Sequence, residues 1–122
     1  MALIEDLIDR RNSIQAYESD HININGRLYS GSLILSATQI ISPWAVTSVT
    51  DLNESLIQEI FNLKPDVILL GTGEKQIFPD VEILGLFAQQ GLGVEVMNTG
   101  AMCRTFNILC AEDRMVVAGV IQ

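Results

Sequence analysis

Apolar residues follow two patterns along this chain. As far as Trp44 they fall in short strand-like runs. Beyond Asp51 they form helical stripes and continuous buried runs, separated by Pro and Gly. In the first part, 14–18, 21–24, 27–29, 33–35 and 40–41 read as short strands. Asn25-Gly26 between the second and third is a strong hairpin signal, since both residues tolerate positive φ. Pro43-Trp44 closes this β-rich region. In the second part, Leu52, Leu56, Ile57, Ile60 and Phe61 form one stripe of a helix over 51–64. Asp51 and Glu54 suit its capped start, and Pro65 stops it. Then come a strand at 67–70, a helix from Pro79-Asp80 to about Gln90 ended by Gly91, and a strand at 94–97. A helix follows from an N-cap at Thr99 to about Cys110, and a last strand lies at 115–121. The crossovers 71–93 and 98–114 are long enough to return the chain for parallel pairing. The expected class is α+β, a single domain over 1–122 with a β-meander front and a βαβαβ half. Leu3, Ile4, Leu7 and Ile8 have helical spacing, so 2–10 reads as a short amphipathic helix or a frayed lead-in.

Parallel strands locate a site before any chemistry is named. Open α/β sheets bind ligands in the crevice beyond the carboxyl ends of the strands. Here two such ends are followed by Gly71-Thr72-Gly73 and by Asn98-Thr99-Gly100. Glycines let a backbone turn sharply and bring free amides to an anion. The first turn is neither a phosphate-loop motif nor a full dinucleotide fingerprint, and a plain tight turn is the simpler account of it.

The second turn opens a helix. Its amino end carries partial positive charge, and Arg104, one turn in, leans back toward that end. Amides, dipole and guanidinium together suit a carboxylate or phosphate, with Gly71, Thr72, Gly73, Asn98, Thr99, Gly100, Cys103, Arg104 and Asn107 as the ligand-binding candidates. The bland alternative pairs Arg104 with Glu112 or Asp113. Cys103 lies near a helix start beside Arg104, two features that lower a thiol pKa. The only histidine, His21, has nothing to place it nearby as a base, and a small buried thiol is the simpler reading. Asn107 lies one turn beyond Cys103 and serves either a ligand or a tie between helix and loop.

Composition removes several function classes. The net charge of −8 leaves no chain-wide basic footprint for nucleic acid or anionic membrane. No apolar run approaches the ~20 residues of a membrane span. The acidic amino terminus is not a secretory signal. Cys103 and Cys110, seven positions apart on one helix, are about 10 Å apart along its axis and too far for a disulfide. Reduced thiols point to the cytoplasm. Two cysteines and one histidine make no zinc set, and no cofactor is expected.

Several segments together carry a resemblance. Asn25-Gly26-Arg27-Leu-Tyr-Xaa-Gly-Ser-Leu, Pro43-Trp44 and Pro65-Asp-Val-Ile-Leu-Leu-Gly-Thr-Gly are followed by Gly93-Val-Glu-Val-Met-Asn-Thr-Gly-Ala-Met-Cys-Arg-Thr-Phe-Asn-Ile-Leu and Glu112-Asp-Arg114. Over about 14–121 the chain resembles the Mth938-like domain family. The resemblance implies an α+β fold with a hammerhead-like part beside a three-layer unit. It implies a binding or assembly module, because a mitochondrial relative assists assembly of respiratory complex I. It supplies no catalytic residue. Met102 stands where relatives usually have a small residue, which narrows any crevice at that helix start. The acidic amino terminus differs from a mitochondrial transit peptide and points to a bacterial cytoplasmic protein. Three readings follow: a module for an unidentified protein partner, as monomer or homodimer; a small-anion binder; and a Cys103-dependent enzyme.

Overall fold

A computed structural model of the chain describes residues 11–122. The element read over 2–10 lies outside the described residues. In chain order the strands are β1 (Ile14–Tyr17), β2 (His21–Ile24), β3 (Arg27–Ser30), β4 (Leu33–Ser36), β5 (Ile40–Ile41), β6 (Val67–Gly71), β7 (Val94–Met97) and β8 (Val116–Val120). The α-helices among the described residues are α1 (Glu54–Phe61), α2 (Val81–Gln89) and α3 (Thr99–Ala111), with a 3₁₀ turn at Val49–Asp51.

Strands β1, β2 and β3 form an antiparallel meander. Its second hairpin turns at Asn25 and Gly26, whose φ values of 55° and 88° are those that Asn-Gly was expected to adopt. The front divides after β3. Strands β4 and β5 enter the second sheet, of order β5-β4-β8-β6-β7, where β4 pairs antiparallel with β8. Every residue of β4 is buried, because it is paired on both edges and covered by a packed layer on each face.

The βαβαβ half is doubly wound. Strand β7 lies on one side of β6 and β8 on the other, both parallel to it. The two crossovers therefore run in opposite directions, and right-handedness puts α2 and α3 on opposite faces. Side chains alternate accordingly. Leu33, Leu35, Leu69, Ala118 and Val120 pack with α3 residues Met102 and Phe106 and with Ile22 and Ile24 of the small sheet. Ile34, Ile68, Leu70 and Val117 pack on the other face with Trp44, Ile57 and Ile60 of α1, and Phe87 of α2.

Two helix starts differ from the sequence reading. Helix α1 begins at Glu54, not Asp51, because the Asn53 side chain accepts from the Leu56 amide at 2.9 Å. The Asp51 carboxylate is engaged one turn earlier, accepting from the Thr47 hydroxyl and from the amides of Thr47 and Ser48. The α1 end also comes early, at Phe61, where bonds from Leu63 to Ile60 and from Lys64 to Phe61 tighten the last turn. The N-cap of α3 is Asn98 rather than Thr99. The Asn98 Oδ1 accepts from Ala101 at 2.8 Å, while the Thr99 hydroxyl is committed elsewhere.

Candidate functional site

The point where the winding reverses lies between β6 and β7, and both candidate turns are there. Hydrogen bonds tie them to each other. The Thr72 amide donates to the Met97 carbonyl at 3.0 Å, and the Thr99 amide donates to the Gly73 carbonyl at 2.8 Å. The Gly73 amide donates to Thr99 Oγ1 at 2.8 Å. Thr72 Oγ1 donates to the Lys75 carbonyl and accepts from the Ile77 amide. Thr99 is fully buried and Thr72 nearly so. The side chain of Met102 reaches the sheet here: a Cβ built on Gly71 would lie 3.2 Å from Met102 Cε and 3.2 Å from Thr99 Oγ1. Donors that could have cradled an anion thus hold the two turns together. Gly71 is small because helix α3 sits directly on it.

The other candidates, Gly100, Cys103, Arg104 and Asn107, face a separate groove of about 220 Å³ between α3 and β1. Its second wall is Ile14, Gln15, Ala16 and Tyr17. Arg104 is exposed and folds back over the first turn of α3. Its Nη1 lies 3.8 Å from where a Gly100 Cβ would stand, next to the Tyr17 ring. Neither acid suggested as its partner pairs with it among the described residues; Asp113 pairs with Arg11 at 3.2 Å. Burial raises the Tyr17 hydroxyl above its usual pKa, and the nearby Glu74 adds to the shift. Asn107 grips the opposite wall with both ends of its amide. Its Oδ1 accepts from the Ile14 amide at 2.9 Å and its Nδ2 donates to the Ile14 carbonyl at 2.7 Å. Of the two roles open to it, it performs the tie. The sequence reading missed the β1 wall, since nothing local in 14–17 says which helix it will face.

Cys103 is the small buried thiol of the simpler reading, not an activated nucleophile of the kind its neighbours alone would suggest. Arg104 does lower its pKa, but burial is the larger effect, and the thiol is pushed up to about 11. Only 8% of the residue is exposed. Burial also raises Cys110, and both cysteines are free thiols. His21 begins β2, with its Nδ1 2.9 Å from Asp20 Oδ1, and does not line the groove with Cys103. Among the described residues no group of three or more His, Cys, Asp and Glu is placed to hold a metal. No helix among them is long and apolar enough to cross a membrane.

The raised thiol has a consequence for stability. Above pH 9.0 the unfolded chain releases the Cys103 proton while the folded chain keeps it. The stabilisation is thus complete below pH 9.0 and is lost as pH rises through about 11. The unfolding free energy should fall above pH 9.0 by up to about 1.4 kcal/mol per pH unit from this group. Denaturant titrations at pH 7.5 and 10 should show the loss, and Cys103→Ala should reduce it. An equal loss in that variant would assign the effect to other groups.

Residues 14–121 match the family model described as a protein of unknown function, DUF498/DUF598. The chain belongs to this family. Among its relatives, a protein of Francisella tularensis subsp. holarctica (strain LVS) named a 13 kDa major membrane protein is 33% identical over 122 residues, covering 99% of each chain. The rat NADH dehydrogenase [ubiquinone] 1 alpha subcomplex assembly factor 3 is 30% identical, over 99% of this chain and 66% of its own length. A solved Bordetella pertussis structure described as a Mth938-like domain superposes with a TM-score of 0.77 at 28% identity, covering 90% of this chain and 85% of that one. The α+β architecture is thus the Mth938-like one.

Proposed function

We propose that this DUF498 chain is a binding module that docks on a protein of a membrane-bound NADH dehydrogenase while that complex is assembled. The relatives named as assembly factors support the partner class, and the rat factor has about a third of its length beyond the matched region. The observation that carries the reading is an exposed apolar run where the loop after β6 enters α2. Ile77 is 50% exposed, Phe78 61% and Val81 84%. Isolated exposed apolar residues are ordinary, but three large ones within five positions mark a contact surface. Docking on a membrane complex would also let a chain whose described residues include no spanning helix travel with membranes, as the name of the Francisella relative suggests for that protein.

The test is complementation in the host of this chain. Deleting its gene should reduce assembled NADH dehydrogenase on native gels and NADH oxidation by isolated membranes. Wild type should restore both. Phe78→Ser with Val81→Ser should not, although removing exposed apolar groups should change stability by no more than about 0.5 kcal/mol. Normal assembly in the deletion strain would overturn the reading.

A further inference from the structure

The apolar run borders a groove of about 240 Å³ lined by Ser48, Val49, Thr50 and Leu52 on one side and by Ile77, Phe78, Asp80, Glu82 and Ile83 on the other. That volume is below the roughly 300–1,000 Å³ usual for small-molecule sites, and it suits side-chain anchors from a larger partner. Its most buried lining residues are apolar: Val49 and Leu52 are members of the core beneath, and Ile83 packs against that core. Its rim has one sign of charge. Asp80 and Glu82 are exposed carboxylates, and none of the lining residues is Lys or Arg. The Asp80 side chain makes no capping bond to α2, so its carboxylate is not consumed by the helix it precedes. Lys75 belongs to the same loop but does not line the groove.

We infer that this groove receives an amphipathic cationic segment of a partner protein, whose apolar side chains enter between Leu52 and Phe78 while its Lys or Arg groups meet Asp80 and Glu82. This rests on the protein-docking reading above and adds the chemistry of the segment. Complementary charge at a rim mainly sets association rate and specificity, and the apolar lining supplies the anchor. The acidic rim opposes an anionic lipid surface, which would otherwise compete for an exposed apolar run.

The probe is a fluorescein-labelled sixteen-residue peptide of four Lys-Leu-Leu-Lys units, with the glutamate counterpart as control. The full chain should bind the lysine peptide saturably, with amide shifts confined to 48–52 and 77–83. Asp80→Asn with Glu82→Gln keeps shape and removes charge, and should weaken binding about fivefold. Phe78→Ser should weaken it about tenfold or more. Glu18→Gln with Glu112→Gln removes as much charge elsewhere on the surface and should leave binding unchanged. Equal binding of the glutamate peptide, equal loss in the Glu18/Glu112 pair, or no binding by wild type would overturn the inference. So would wild-type self-association dissolved by Phe78→Ser, which would make the occupant a second copy. In the complementation assay, normal assembly by the Asp80→Asn/Glu82→Gln chain and failure of the Phe78→Ser/Val81→Ser chain would remove the cationic assignment and leave the docking reading standing.

Discussion

Gly119→Ala should lower the unfolding free energy by about 3 kcal/mol, although it adds one methyl group to a strand. A Cβ at this position of β8 would lie 2.9 Å from both Cη2 and Cζ3 of Trp44 and 3.2 Å from Leu70 Cδ1. Real Cβ atoms do not approach so closely, so something must move. The indole has little freedom to do so. It is 2% exposed, and its Nε1 donates to the Leu56 carbonyl at 3.2 Å, which fixes the ring between the sheet and α1. The Trp44 backbone amide is held as well, by the Ser32 carbonyl at 2.9 Å. Displacing the ring breaks the indole bond or opens a gap toward α1; leaving it in place displaces β8 between β4 and β6. Denaturant titration should show a lower midpoint with an unchanged slope, because the same surface is exposed on unfolding. Pairing the change with Trp44→Phe, whose shorter ring withdraws from the clash, should cost less than the sum of the two single variants. Strict additivity would show that the ring and the glycine are not in conflict.

That contact also shows where sequence reading reaches its limit. Pro43-Trp44 was legible as the end of the β-rich region, and Val116–Val120 as a strand. That the indole covers a glycine 75 positions later is a tertiary fact with no local sign. Features set by local backbone chemistry were read well. The Asn25-Gly26 hairpin and the stop at Gly91, whose φ is 76°, follow from which residues accept positive φ. The parallel half was legible because β6 is an apolar run and both crossovers have helix length. The destination of β4 was not, because a three-residue apolar run carries no record of its partner. The α1 start was misplaced because Asp51 and Asn53 are both good caps, and Asp51 is drawn off by Thr47 and Ser48.

The candidate site was legible in position more than in state. Placing it beyond β6 and β7 required only strand order and handedness. The closure of the two turns depends on a hydroxyl and an amide 26 residues apart, Thr99 Oγ1 and the Gly73 N–H, which meet only after the strands pair. Cys103 is the small buried thiol that was the simpler reading, and the competing signals in its sequence neighbourhood are outweighed. A helix start and an adjacent Arg were visible in sequence; burial against β1 was not, and it is the larger effect.

Asn107→Ala should be nearly as damaging as the glycine variant, by about 2 kcal/mol, and its damage should be local. The side-chain amide pairs with both the N–H and the C=O of Ile14, doing for this edge of β1 what a further strand would do. Its loss leaves two backbone groups of a buried residue without partners and frees the strand that walls the groove beside Cys103. The Ile14 amide should therefore exchange with solvent at least about tenfold faster, with smaller changes in β6 and β8. Asn107→Asp separates the bond from the shape. The introduced carboxylate can accept from the Ile14 N–H, but its second oxygen faces the Ile14 carbonyl, where Nδ2 now donates. Near pH 7 this variant should be no better than Asn107→Ala. The repulsion raises the folded-state pKa of the introduced carboxyl above its unfolded value of about 3.9. Below that value the protonated group can donate, and part of the lost stability should return; it should be lost again as pH rises through the folded pKa. A variant as stable as wild type at pH 7 would mean that β1 is held by its apolar contacts and by pairing with β2 alone.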